Sequence, residues 1–270
     1  EVLDHLPSSI GEQFQGEWAL YSCSMFSAAL ANISRLYPET ALDNLCYIQR
    51  LIDTVMSPEL RAYDTNRWGE DALETLHGSK SHISYISHLA WMICGYKSVG
   101  GDDRYDAVLS KLCDTMNRRI LSSSSLNLPT YPGESIYVPD MLVAIVALKQ
   151  YSQMTDNRYS STVDKWLAKA QREWLDEESG LLVSFLGTDG TQYTDAPVKG
   201  SYSALNCYYL TLIDTTFANE QYRLLKQYLW RDNFIVGLRE YKEWTPVLGL
   251  DVDAGPLVFG LSPSGTAFLT

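Results

Sequence analysis

The chain has 270 residues, 46% of them hydrophobic and 20% charged, with a formal net charge of −12. That is enough apolar material for one large core. So acidic a surface repels phosphate backbones and argues against a nucleic-acid partner, and no apolar stretch is long enough to span a bilayer.

In chain order the sequence repeats one long cycle. A polar connection rich in Gly, Pro and aromatics leads into a strongly apolar run. An amphipathic run follows, and the next connection begins. The connections end near Glu17, His82, Pro139, Ser201 and Pro256, a step of roughly 55 to 65 residues, longer than ordinary solenoid repeats. Runs that are apolar on every side, such as Met141 to Leu148, must be surrounded by protein. They predict inner helices near 17–36, 81–98, 139–155 and 201–216, with a fifth opening near Pro256. Spacings of three and four, as in Val108, Leu112, Met116 and Ile120, bury a single stripe. They predict outer helices near 39–56, 103–120, 158–175 and 218–231.

Four long connections remain, at 57–80, 121–138, 176–200 and 232–255. Connections of that length are usually functional. In the third, Leu181 to Leu186 and Gln192 to Thr194 flank Asp189-Gly190, a two-residue hairpin signal. Nothing marks a domain boundary, so residues 1–270 read as one domain. Four pairs and part of a fifth do not close a ring of six, so further chain or a second chain would have to close it. Glu1 is not a natural start, which leaves room for an upstream segment.

The chemistry-bearing residues gather where connections meet inner helices. They are Glu17 and Tyr21 at the first, then Trp68, Glu70, Asp71, His82 and Tyr85 at the second. Tyr131, Glu134, Tyr137 and Asp140 come at the third, Asp195, Lys199 and Tyr202 at the fourth, and Asp251 and Asp253 at the last. Carboxylates at helix starts can be simple caps. If the helices form a ring, however, these acids project into one basin, and two carboxylates flanking a bond are the equipment of glycosidic cleavage. Glu134, Asp140, Asp253 and His82 are therefore the catalytic candidates. Glu17, Tyr21, Trp68, Asp71, Tyr85, Tyr131, Tyr202 and Asp251 are the substrate-binding candidates. His88 reads as a hydrogen-bonded interior residue.

The five cysteines, Cys23, Cys46, Cys94, Cys113 and Cys207, form no CxxC pair and read as small buried hydrophobes. Neither they nor the histidines have zinc-site spacing, so no metal is expected. Phosphate-binding glycine loops, HExxH and GxSxG are all missing, which weakens nucleotide, zinc-protease and serine-hydrolase readings.

The hairpin repeat, His82-Ile83-Ser84-Tyr85-Ile86 at an inner helix start, Tyr131-Pro132 with Pro139-Asp140, and Asp251-Val252-Asp253-Ala254-Gly255-Pro256 resemble the six-hairpin (α/α)6 toroid enzymes. That group includes glycoside hydrolases, uronyl epimerases and polysaccharide lyases. More distantly, the pattern is similar to the linalool dehydratase/isomerase-type domain. The resemblance implies an all-α toroid of helical hairpins, incomplete at its C-terminus, with short β-hairpins in its connections. It also implies an enzyme of oligo- or polysaccharides working by carboxylate acid/base catalysis without a cofactor. The isomerase family works through cysteines in the connection that holds Glu134 and Asp140 here, and this connection has none. The rival expectations are an isomerase or dehydratase of a small apolar alcohol, and a non-catalytic glycan-binding toroid. Work on glycans would suit an extracytoplasmic or surface-tethered protein.

Overall fold

The computed structural model describes residues 12–193, 196–243 and 247–269. Of the residues singled out in the sequence, Thr194 and Asp195 lie outside this set. The chain is mostly helical. The helices at the positions expected to be inner are α1 (Glu12–Leu36), α4 (Ile83–Ser98), α6 (Val138–Met154) and α8 (Gly200–Thr211), followed by the short α10 (Pro263–Leu269). The helices α2 (Ala41–Val55), α5 (Asp106–Ser122), α7 (Ser160–Glu173) and α9 (Thr215–Tyr228) alternate with them.

Two of the expected inner helices, α4 and α6, are buried all round, whereas α1 exposes Trp18, Phe26 and Ile33. Every residue of α4 from Ile83 to Tyr96 is buried, as is every residue of α6 from Val138 to Leu148. The outer helices bury one stripe each: Ile48, Ile52 and Val55 on α2, and Val163, Trp166 and Ala170 on α7. A fully buried Val, Leu or Ile contributes about 1.5–3 kcal/mol, so these stripes dominate the stability of the outer layer. Each inner helix packs on the next, α1 on α4, α4 on α6, α6 on α8 and α8 on α10. Each of α1, α4, α6 and α8 also packs on an outer partner, α2, α5, α7 and α9 respectively. Among the described residues no helix is long and apolar enough to cross a membrane.

The connections hold more structure than the periodicity predicts. The first contains a further helix, α3 (Pro58–Trp68). Its signals are local: the Ser57 hydroxyl accepts from the Leu60 N–H, Pro58 opens the helix, and Gly69 closes it at φ 75°. The expected hairpin around Asp189-Gly190 shrinks to a bridge between Leu186 and Gln192. Its first arm pairs elsewhere, as β2 (Phe185–Leu186) against β1 (Ile136–Tyr137). The helix expected near Pro256 begins instead at Pro263. Gly255–Val258 is a strand, β6, paired with β5 (Leu248–Asp251). With β3 (Trp230–Arg231), β4 (Gly237–Arg239) and β7 (Leu261–Ser262) these form an antiparallel sheet in the order β3-β4-β7-β6-β5. A small apolar cluster, including Leu225, Leu229 and Leu238, seats the sheet on α8 and α9. At the seam the Gly200 N–H donates to the Glu240 carbonyl at 2.8 Å. A Cβ on Gly200 would lie 1.9 Å from the Arg239 carbonyl oxygen, so only glycine fits there.

All five cysteines are free. Cys94, Cys113 and Cys207 are buried as expected, but Cys46 is exposed on α2. Asp214 caps α9, its Oδ1 accepting from the Phe217 N–H at 2.9 Å. Asp214→Ala is expected to cost about 1 kcal/mol, read as a lower urea midpoint at unchanged slope. An unmoved midpoint would show that the cap is dispensable.

Candidate functional site

The starts of α4, α6 and α8 converge with the first half of α1. The Tyr21 hydroxyl on α1 lies 2.9 Å from the Ser84 hydroxyl on α4. His88, one turn further along α4, packs its ring 5.0 Å from that of Tyr21 and pairs Nδ1 with the Ser24 hydroxyl at 2.8 Å. Its Nε2 faces Asp140 Oδ1 of α6 at 3.9 Å. From α6 the lining continues through Tyr137, Phe185 and Tyr202. Their ring centroids are 4.8 Å apart for Tyr137 and Phe185, and 5.2 Å for Phe185 and Tyr202.

Asp140 is the acid this arrangement singles out. It is 5% exposed, it sits in the first turn of α6, and its Oδ2 has no hydrogen-bond partner. Pro139 just before it suits the first helical turn, where no backbone donor is needed. A buried carboxylate oxygen left open is costly, so its place in the fold calls for water or a ligand. Four phenols register its charge. Burial first raises Tyr21, Tyr202 and Tyr209 well above the usual tyrosine range; the charge of Asp140 follows at Tyr21 and Tyr209, and at Tyr202 it adds to the larger effect of Asp253. Tyr137 is pushed up to about 12 by burial, then by Asp253, Glu134, Asp140 and Glu17. Acids from three parts of the chain, Glu17, the neighbouring Glu134 and Asp140, and Asp253, therefore act on one hydroxyl. Further interior polar atoms are open on α8, where Ser203 Oγ and both ends of the Asn206 amide are buried without partners.

Several candidates take other roles. His82 is fully buried with both ring nitrogens occupied, Nδ1 by Asp64 Oδ2 at 3.0 Å and Nε2 by Glu70 Oε1 at 3.1 Å. It presents no nitrogen to a substrate and instead brackets the start of α4 to α3 and the chain after it. Asp71 is bound to the buried Arg61 at 2.6 Å and caps the Leu73 and Glu74 amides. The Tyr85 hydroxyl donates to the Val55 carbonyl, on the side facing α2. Tyr131 is 1% exposed, with one face covered by Trp68 at 4.2 Å and its hydroxyl 2.9 Å from that of Tyr63. It cannot offer a face to a sugar ring, whereas Trp68 is only half-buried.

Asp251 and Asp253 do approach this cluster, but not as unpaired acids. Both are held by the Lys199 ammonium, Asp251 at 2.8 Å, and Asp251 also accepts from the Tyr241 hydroxyl. Lys199 is 7% exposed and lies over the rings of Phe185, Tyr202 and Tyr241. Burial works to raise Asp251, but the ammonium and the phenol outweigh it and bring the carboxyl down to about 2. A carboxylate lowered on folding stabilises fully above its unfolded value of about 3.9, and that contribution is lost as pH falls through the folded value. The clamp is thus expected to lose about 2 kcal/mol between roughly pH 4 and pH 2. Urea midpoints measured across that window should fall more steeply for the parent than for Asp251→Asn. Parallel curves would remove the clamp from the account.

Two participants were missed in the sequence. His88 reads there only as interior, with nothing to show that it faces Asp140. Glu240 is fully buried and accepts from the Ser201 N–H and hydroxyl, capping α8 from the sheet. No local signal places a residue of the last long connection on that helix start. Among the described residues no group of three His, Cys, Asp or Glu could hold a metal ion. No protein-family model matches this chain, and no curated protein matches it at a significant level.

Proposed function

We propose that the chain is an α/α toroid, incomplete in the residues described, that acts on an oligo- or polysaccharide by carboxylate acid/base catalysis at the basin. The observation that carries this reading is Asp140: buried, open at Oδ2, and felt by the phenols of Tyr21, Tyr137 and Tyr202. The order in which α1, α4, α6, α8 and α10 follow one another supports a ring of inner helices.

In this reading Asp140 is one member of the carboxyl pair and Glu17 the other. Both bear on Tyr21 and on Tyr137. One carboxyl gives its proton to the glycosidic oxygen as the bond breaks. The other takes a proton from the attacking water or attacks the sugar carbon itself, depending on the separation between them. Glu134, also felt at Tyr137, is the reserve second carboxyl. His88 stands behind Asp140 and holds its orientation. Tyr21, Tyr137 and Tyr202 supply hydroxyls to the sugar, and Trp68 offers a ring face at the rim. Lys199 keeps Asp253 and Asp251 neutralised at the edge, which moves Asp253 from catalyst to positioning residue.

A second reading, an isomerase or dehydratase of a small apolar alcohol, draws support from the aromatic wall of Tyr137, Phe185 and Tyr202. A screen of oligosaccharides and of terpene-like alcohols against the parent and Asp140→Asn separates the two. Turnover of a glycan that the variant loses supports the first reading. Turnover of the alcohol alone supports the second, and binding of a glycan without turnover points to a non-catalytic module.

A further inference from the structure

We propose a second ligand site on the C-terminal sheet, on the side away from the basin, for an oxyanion carried on a body with one apolar face, as in an acidic sugar. A concavity of about 240 Å3 is lined there by Arg231, Asn233, Arg239, Lys242, Phe259 and Gly260. Its cations are placed by strand register. Trp230 pairs with Leu238 and Arg231 with Gly237. Side chains alternate along a strand, so Arg231 and Arg239 share one face as diagonal neighbours. Leu238, between them in alternation, is fully buried, and the next residue, Glu240, caps α8 at the basin. The two guanidinium groups therefore face away from Asp140.

Among the described residues neither arginine forms an ion pair. Arg231 Nε donates to the Asn233 side-chain oxygen at 2.7 Å, and Arg239 Nη1 donates to the Lys242 carbonyl at 3.1 Å. Those contacts fix the side chains and leave other N–H groups open. Lys242 is ion-paired with Glu178, but among the described residues no carboxylate pairs with Arg231 or Arg239. In a chain with 33 acidic and 21 basic residues, two adjacent uncompensated arginines are unexpected. Paired guanidinium forks match the two oxygens of a carboxylate or sulfate.

The rim adds a second requirement. Phe259 is 45% exposed and forms, with Gly260, the two-residue turn between β6 and β7, at φ 51° and 75°. Its N–H is held by the Val247 carbonyl at 2.7 Å. That hairpin turn places a phenyl ring beside the guanidinium pair. A ligand that meets both needs an anionic group and an apolar face.

The site is independent of the catalytic reading, and its test keeps the two apart. Calorimetric titration of the whole chain at low salt would use trigalacturonate, the neutral maltotriose and sodium phosphate. Trigalacturonate is expected to bind, with affinity lowered at least about tenfold in Arg231→Gln/Arg239→Gln, since each open guanidinium contributes charge-assisted hydrogen bonds. Arg223→Gln, a cation elsewhere on the surface, should bind as the parent does. If the double variant does not fold by circular dichroism, Arg239→Lys decides, because it keeps the charge and loses the fork. Undiminished binding by the folded arginine variant overturns the site. Phosphate or maltotriose binding as tightly as trigalacturonate, and weakened as much in the arginine variant, overturns the assignment of its ligand.

Discussion

Asp140→Asn is expected to lower turnover of a responsive oligosaccharide by about 10² to 10⁴-fold, the usual contribution of a positioned proton-transfer group. The substitution keeps the size of the side chain and its place in the first turn of α6, so the helix should persist. It removes the group that can both give and take a proton beside Tyr21, Tyr137 and Tyr202. Substrate affinity should change far less than turnover, because the hydroxyls and the Trp68 face that would hold a sugar remain. Equal losses in turnover and affinity would instead make Asp140 a binding residue. His88→Gln is the companion measurement. If His88 acts only by orienting Asp140, its loss should reduce turnover less than the loss of Asp140 and shift the pH profile.

The largest expected effect on stability is at Lys199. Lys199→Met deletes the one ammonium that holds Asp251 and Asp253, and it also faces Glu240 at 3.9 Å. Breaking a buried ion pair from one side leaves charge without compensation, at a cost of about 3–5 kcal/mol. Burial already raises Glu240, whose bonds from Ser201 and the charge of Lys199 work the other way. Losing the ammonium therefore worsens the environment of three acids at once. The variant should unfold at markedly lower urea. Adding Asp253→Asn to it should recover part of the loss, since one of the stranded charges is then gone. A variant as stable as the parent would mean that solvent already screens this cluster.

The helices were legible because periodicity is a local property of the sequence. Met141 to Leu148 can be apolar on all sides only in a protein interior, and the structure buries every one of those residues. The connections were less legible. Ser57-Pro58 and Gly69 are sufficient signals for α3, but that helix has a weak apolar stripe and so does not stand out by pattern. The sheet that replaces the helix expected near Pro256 is held by pairings such as Leu250 with Pro256, and strand pairing is not written in either segment alone.

The candidate site shows the same division. Residue type and position at a helix start brought out Asp140, Glu17, Tyr21 and Tyr202. Whether an acid is open or paired depends on what lies across from it. Asp253 meets Lys199, 54 residues earlier in the chain, and His82 meets Asp64 and Glu70. Both looked catalytic because each carries the right chemistry, and both are engaged by partners that spacing does not reveal. His88 is interior and hydrogen-bonded as its position predicts, and only its approach to Asp140 is not legible in the sequence.

The central claim is that acids brought from α1 and α6 meet around one basin that holds a sugar, with Asp140 at the bond to be broken. A crystal structure of Asp140→Asn soaked with a glycan that the parent turns over tests it most directly. The account predicts the sugar among Tyr21, Tyr137 and Tyr202, with a glycosidic oxygen within hydrogen-bond reach of residue 140. A sugar bound elsewhere, with that basin filled only by water, would contradict it.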